Sequence, residues 1–165
     1  MRQQEREAFF ESMVKAYGTK LYNLIRSIVL NHDDADDLMQ ETLLKAWKSL
    51  ESFRNEASYA TWLYRIALNE ALRHQQRAAL RRRFLLAKPA QSNTAPSADQ
   101  TESILSAALQ TLTARQRSVF AMHYFNSLSF AEIGQLLHVT EATAKATYHQ
   151  SAIKIKQYIH QHAEN

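Results

Sequence analysis

Cysteine is missing from the chain altogether. Its absence excludes a disulfide scaffold and any cysteine-ligated zinc, and it suits a reducing compartment. Glycine and proline are scarce, with two of each in 165 residues, and neither Asn-Gly nor Asp-Gly occurs. A sheet protein of this length needs many tight turns built from such residues, so an all-β architecture is excluded. No apolar run approaches the ~18 residues of a membrane-spanning helix. The stretch Met1–Glu11 carries charges of both signs where a signal peptide would have an apolar core. A cytoplasmic protein with no membrane insertion is expected. There is also no Gly-rich phosphate loop and no nucleophile elbow. Paired carboxylates occur only in one cluster, at Asp33-Asp34 and Asp36-Asp37, and His160 and His162 are two apart and share no helix face. No catalytic residue, metal, cofactor or small-molecule substrate is expected, and an enzyme is the least favoured class.

What is abundant is helix formers: Leu, Ala, Gln, Arg, Lys and Glu. Apolar residues make up 45% of the chain, enough for a packed core. The expected fold class is all-α, with two small helical domains joined by a flexible linker. The first block spans residues 1–86. Phe9, Phe10, Met13, Val14 and Tyr17 recur at helical spacing; Gly18 is read as an interruption, and Leu21, Leu24, Ile25, Ile28 and Val29 carry the pattern on. Asn31 offers a helix cap with Asp33 and Asp34 in the following turn, where the helix dipole favours carboxylates. The next helix carries Leu38, Leu43, Leu44 and Trp47, and the polar stretch Glu51 to Ser58 ends it. Ser58 caps a third helix bearing Trp62, Leu63, Ile66 and Leu72, which runs on through the arginine-rich stretch Arg77 to Arg83. Both tryptophans are assigned to the core. Residues 87–100 are the linker; its AKPAQSNTAPSAD segment holds both prolines and almost no bulky apolar side chain. Its 13 residues (87–99) reach roughly 45 Å when extended, at ~3.3–3.6 Å each.

The second block, 101–165, contains the sharpest local pattern. Thr113-Ala-Arg-Gln116 and Ser129-Phe-Ala-Glu132 both have the capping-box form. Phe130–Leu137, a short turn at His138-Val139, and a helix capped by Thr140 fit a helix-turn-helix. Ala131 and Ala144 are read as the small residues at the crossing, and Val139 as packing between the helices. In such a motif the second helix enters the major groove and its N-terminal residues meet base edges. Thr140, Glu141, Thr143, Lys145, Ala146, His149 and Gln150 are the candidates here. Short helices joined by tight turns also occur in bundles that bind no DNA. The turn has His138 where Gly is common, and His tolerates a positive φ better than most residues. The helix is poor in arginine, so few phosphate contacts are available and affinity alone should be weak.

Charge is distributed unevenly. Residues 1–76 carry 10 Lys/Arg against 11 Asp/Glu, residues 77–100 carry 5 against 1, and residues 101–165 carry 5 against 4. The basic middle reads either as a solvated linker or as a strap for nucleic acid or an acidic channel. The acidic cluster Asp33, Asp34, Asp36 and Asp37 would repel DNA and belongs on a protein partner. Asp37, Gln40, Glu41 and Leu44 lie on one helical face, at i, i+3, i+4 and i+7. Arg65, Asn69 and Arg73 form a second stripe, at i, i+4 and i+8, suited to phosphates and base edges.

The segment Asp34-Ala35-Asp36-Asp37-Leu38-Met39-Gln40-Glu41 with Leu44-Lys45-Ala46-Trp47 resembles a signature of bacterial sigma factors. Thr61-Trp62-Leu63-Tyr64-Arg65-Ile66-Ala67-Leu68-Asn69 is similar to the helix by which that family engages the promoter's minus-10 element. Ala108 to Phe120, followed by Leu128 to Ile133, resembles its minus-35-binding domain. The three lie in the family's order across a linker, and the short two-domain chain resembles the extracytoplasmic-function (ECF) class. The resemblance implies an RNA polymerase sigma factor directing promoter recognition and transcription initiation. It implies that Asp34, Asp37, Leu38, Gln40, Glu41, Leu44 and Lys45 meet core RNA polymerase at the clamp helices of its largest subunit. It further implies that Phe53, Arg54, Asn55, Ser58, Tyr59, Arg65, Asn69 and Arg73 read the minus-10 element, the loop around Phe53–Tyr59 capturing a flipped base. The C-terminal candidates named above would read the minus-35 element, and the class implies an anti-sigma factor as a further partner. Two alternatives stand beside this: a helix-turn-helix transcriptional repressor and a non-DNA-binding sigma-like adaptor. The recognition helix departs from the family in its lack of arginine, so promoter sequence does not carry over from relatives.

Overall fold

Helix α1, Gln3–Val29, shows how packing overrides a local preference. Its sequence reads as interrupted at Gly18, and a mid-helix glycine costs about 1 kcal/mol relative to alanine. The helix nevertheless runs through without a break, because the apolar residues on either side of Gly18 share one face. Met13, Leu21, Leu24, Ile25, Ile28 and Val29 are all buried along it. The structure is a computed structural model that describes residues 2–54, 58–85 and 100–163. Among these residues there are seven α-helices, one 3-10 turn and no strand, so the described part is all-α as expected.

Helix α2, His32–Ser49, starts as its sequence predicts: the Asn31 side chain accepts from the Asp34 amide at 3.1 Å, and Asp33 and Asp34 sit in the first turn. A 3-10 turn at Leu50–Ser52 ends it. Helix α3, Tyr59–Leu85, begins where Ser58 Oγ accepts from the Thr61 amide at 3.2 Å, and it continues through the arginine-rich stretch. These three helices pack against one another, burying Ala35, Leu38, Ala46, Leu63, Tyr64, Ala67, Leu68 and Ala71 with the α1 face. Trp47 and Trp62 are half-buried, not fully enclosed.

The second block contains α4, Gln100–Gln110, α5, Ala114–Tyr124, α6, Phe130–Leu137, and α7, Glu141–His162. Both predicted capping boxes are formed, Thr113 with Gln116 and Ser129 with Glu132. The helix-turn-helix turns on His138, which adopts the left-handed conformation at φ 58° and ψ 42°. Val139 is half-buried beside it. Ala144 is buried at the crossing, but Ala131 is exposed and takes no part in it. Gly134 fills that role instead. A Cβ there would stand 2.7 Å from the Val139 carbonyl oxygen and 3.3 Å from the Thr140 carbonyl carbon. These are backbone atoms of the turn, which cannot yield as a flexible side chain would.

The two blocks do not stand apart. Val119, Ala121, Met122, Ile133, Leu136, Leu137 and Ala144 of the second belong to the same buried cluster as the α1, α2 and α3 core. A smaller cluster of Ala108, Leu109, Leu112, Phe120 and Ile155 receives Leu30 from the end of α1. Arg117 of α5 is only 7% exposed. It donates from Nε to the Ile28 carbonyl at 3.0 Å, and from its terminal nitrogens to the Leu112 carbonyl at 2.6 Å and to Gln75 Oε1 at 3.4 Å. Burial, with Arg82 nearby, lowers its pKa from the usual arginine value. Asn126 Nδ2 donates to the Lys20 carbonyl at 3.1 Å. Burial likewise raises the Tyr64 phenol, against the opposing effect of a hydrogen bond with Asn126. The linker segment 87–99 lies outside the described residues.

Replacing Gly134 by alanine overpacks the crossing and should lower stability by about 1–3 kcal/mol. Thermal unfolding followed by circular dichroism checks this; Ala131→Ser, at an exposed site, should stay within about 0.5 kcal/mol of the parent.

Candidate polymerase and promoter interfaces

Helix α2 presents its acidic side outward. Asp37, Gln40 and Glu41 are exposed, Asp34 is half-buried, and Leu44 is 53% exposed. Leu38 departs from expectation. It is 4% exposed and lies in the core, so it supports this face from behind and does not line it. Its position explains why: Leu38 follows Ala35 on the buried side of α2, with Thr42 one turn further on.

Lys45 is exposed on α2 and also reaches across to α3. Its ammonium sits on Oε1 of Glu70 in α3, and Arg73 approaches the same oxygen at 3.3 Å. Glu70 is 5% exposed, so its carboxylate depends on these two cations for compensation. The sequence reading passed over Glu70; a carboxylate on the apolar side of the helix, between Ala67 and Ala71, was the available signal. A cleft between α2 and α3 beside this network is lined by Asp34, Asp37, Leu38, Glu41, Glu70, His74 and Arg77. His74 Nε2 lies 3.7 Å from Asp34 Oδ2. Among the described residues, no group of three or more His, Asp or Glu has the geometry to hold a metal ion.

The minus-10 candidates fall into two sets. Arg65, Asn69 and Arg73 are exposed along α3, as the i, i+4, i+8 spacing predicts. Phe53 and Tyr59 are half-buried and pack against each other, their rings tilted by 34° with centroids 4.4 Å apart. Phe53 also meets Trp62 at 5.1 Å, and Tyr59 meets Phe9 at 4.8 Å. The pair thus forms the upper layer of an aromatic cluster anchored in the core. Arg54 and Ser58 are exposed on either side of it, and Asn55 lies outside the described residues.

At the other end, Glu141, Thr143, Lys145, Ala146, His149 and Gln150 are all exposed on the first turns of α7. Thr140 Oγ1 caps the helix, accepting from the Thr143 amide at 3.0 Å and donating to Thr143 Oγ1 at 2.8 Å. Lys145 is the one cation on this tip. The neighbouring basic residues are occupied elsewhere: Arg115 donates to the Leu137 carbonyl at 3.2 Å, and Lys154 to Gln116 Oε1 at 3.3 Å. His123 stacks beneath the tip on Phe130, centroids 4.2 Å apart, with Tyr148 edge-on at 4.5 Å. No described helix is long and apolar enough to cross a membrane.

Comparison with known proteins gives the same division of the chain. Residues 13–81 match sigma-70 region 2, and residues 102–155 match sigma-70 region 4. RNA polymerase sigma factor YlaC of Bacillus subtilis is 28% identical over 155 residues, covering 88% of this chain and 89% of the relative. ECF RNA polymerase sigma factor SigM of Mycobacterium tuberculosis is 29% identical over 142 residues, covering 83% and 70%. Among solved structures, the sigma factor RpoE of Bartonella quintana, in complex with the anti-sigma factor NepR, superposes with a TM-score of 0.76 at 22% identity, over 91% of this chain and 96% of that one. CnrH in complex with the cytosolic domain of CnrY gives 0.72 at 20% identity, over 94% and 90%. With region 2 followed by region 4 in one short chain, and relatives of that class along its length, this protein belongs to the sigma-70 family and is an ECF sigma factor, an RNA polymerase sigma factor acting in transcription initiation.

Proposed function

We propose that the protein docks on core RNA polymerase through the outward face of α2, with Asp34, Asp37, Gln40, Glu41 and Leu44 meeting the clamp helices of the largest subunit. The observation that carries this reading is the combination of an acidic, DNA-repelling helix face with a half-exposed Leu44 at its centre line. Charges steer such an encounter and an apolar anchor holds it. Lys45 reaches from α2 to hold Glu70 and so fixes α2 against α3, while Arg73 braces the same carboxylate within α3. The protein is read as a binding factor with no catalytic residue and no cofactor, working where the polymerase is, in the cytoplasm.

The DNA contacts are assigned to two weak readers. Arg65 and Asn69 meet the minus-10 region from α3, with Arg54 and Ser58 at the rim of the Phe53–Tyr59 cluster. Extruding a base costs a few kcal/mol, and base–aromatic stacking returns about 1–3 kcal/mol per base. The half-buried aromatic rings of Phe53 and Tyr59 support that role. Thr143, Lys145, Ala146, His149 and Gln150 read the minus-35 duplex. One lysine makes few phosphate contacts, so the tip works when polymerase holds it near the DNA and raises its effective concentration. An anti-sigma protein is the expected regulatory partner. A sigma-like adaptor without DNA binding shares the α2 face but would give no promoter-specific transcript.

Reconstituted run-off transcription with core enzyme tests the reading, and a transcript starting from a defined promoter is expected. Asp37→Lys should weaken association with core polymerase by about tenfold, close to 1.4 kcal/mol, with helix content unchanged by circular dichroism; unchanged affinity would remove α2 as the docking face. Lys145→Ala in the holoenzyme should reduce the slope of log affinity against log salt by about 0.9 on a minus-35 duplex, the contribution of one phosphate contact.

A further inference from the structure

Arg6, Phe9 and Phe10 lie on one face of α1, at i, i+3 and i+4. All three precede residue 13, where the match to sigma-70 region 2 begins. Arg6 reaches the C-terminal end of α2, whose last four carbonyls lack helical amides. One of its terminal nitrogens donates to the Trp47 carbonyl at 2.6 Å, and the other to Glu51 Oε1 in the 3-10 turn at 2.8 Å. The same guanidinium lies over the Trp47 ring, 4.2 Å from its centroid, where an aromatic face attracts a cation. Phe10 meets that ring edge-on at 5.3 Å, and Phe9 meets Tyr59 edge-on at 4.8 Å. The Arg6 side chain is 19% exposed, against 71% for Glu51. An ion pair to so exposed a carboxylate fixes little by itself. A planar fork spread over a carboxylate, a carbonyl and a ring is fixed in direction.

We propose that Arg6 is a positioning residue for promoter opening: it holds the end of α2 and the 3-10 turn so that the Phe53 and Tyr59 rings are in place before DNA arrives. The proposal rests on the reading of those rings as the surface that stacks an extruded minus-10 base. Phe53 and Tyr59 come from opposite ends of the α2–α3 connection, and the first turns of α1 touch both ends. Phe9 meets the α3 side directly, at Tyr59. Arg6 holds the α2 side through Trp47 and Glu51, and the turn it grips leads straight into Phe53, whose amide donates to the Leu50 carbonyl at 3.3 Å. Arg6 therefore acts through the turn, not by touching DNA. The need for it follows from a narrow balance. Stacking returns little more than base extrusion costs. Rings that had to be ordered on contact would forfeit part of that return.

The test uses holoenzyme reconstituted from the full chain, on a promoter from which the parent gives a run-off transcript. 2-Aminopurine in the minus-10 element reports opening by its rise in fluorescence on leaving the base stack. A second template carries mismatches across that element and is open beforehand. Arg6→Met keeps the apolar stem and removes the donors and the charge. It should lower the opening equilibrium on the paired template by about tenfold, the scale of ordering two free side chains on contact. Output from the mismatched template and affinity for core polymerase should stay within about twofold of the parent. Glu51→Ala, at an exposed site, loosens the same grip without altering α1 and should lower opening by about threefold; combined with Arg6→Met it should add nothing, because both remove one contact set. Phe53→Leu checks the underlying reading. Should it lower opening while Arg6→Met and Glu51→Ala do not, the rings still stack the base and the role of Arg6 is refuted. Should none of the three alter opening, the reading of the rings fails and the proposal with it. Equal losses on the paired and mismatched templates would make Arg6 a residue of the fold alone and overturn the proposal. Should Arg6→Met lose helix content by circular dichroism, Glu51→Ala decides.

Discussion

Arg117 brings a permanent positive charge into a site that is 7% exposed, and the arrangement of the whole chain follows from how that charge is accommodated. A guanidinium has five donors in a planar fork and does not shed its proton in proteins. Once buried, it must find acceptors. It takes one from its own block, at Leu112, and two from the other, at Ile28 and Gln75. The apolar surfaces of α1 and α5 are thereby brought into register, and what the sequence divides into two blocks becomes one continuous core. Breaking that register exposes an unpaired carbonyl at the end of α1 as well as apolar surface, so the junction of the blocks resists parting by two distinct means.

Local chemistry was readable in the residues, and long-range chemistry was not. The capping boxes at Thr113 and Ser129, the Asn31 cap and the left-handed turn at His138 all form as expected, because each depends on atoms within a few residues. The exposed stripe of Arg65, Asn69 and Arg73 follows from the 3.6-residue period alone. Misreadings arose where a distant element decides. Gly18 is spanned because helices absent from its own sequence neighbourhood cover the α1 face. Ala131 and Gly134 are both small, and only the path of the Val139 backbone shows which one the crossing needs. Leu38 and Leu44 are both leucines on an acidic helix, yet one is in the core and the other is half-exposed. Arg117 looks in sequence like one more basic residue of a DNA-binding block, with nothing nearby to reveal that its partners are carried by Ile28 and Gln75.

The two DNA-facing surfaces share a design in which rigid support compensates for sparse charge. The Phe53–Tyr59 layer is braced by Phe9 and Trp62, so a base stacking there meets a platform already ordered and loses little further entropy. The α7 tip is braced by the Thr140 cap and the His123–Phe130–Tyr148 stack. Lys145 is the cation on the tip itself; Arg115 and Lys154, also exposed, each donate a hydrogen bond within the block. Specificity at such a tip falls to hydrogen-bonding and shape-reading side chains such as Thr143, His149 and Gln150. Weak electrostatics then becomes an asset, because a free factor of this kind is not sequestered on bulk DNA.

Glu70 has a corollary for mutagenesis. Its enclosed carboxylate is neutralised from both sides, by Lys45 on one helix and Arg73 on the next. Truncating either cation leaves the enclosed charge with a single partner, a larger defect than the loss of an ordinary surface contact. An alanine scan of the acidic helix would thus register Lys45 as a binding hot spot, although the injury is to the scaffold. Paired replacement of Lys45 with Glu70 by neutral residues separates the two meanings.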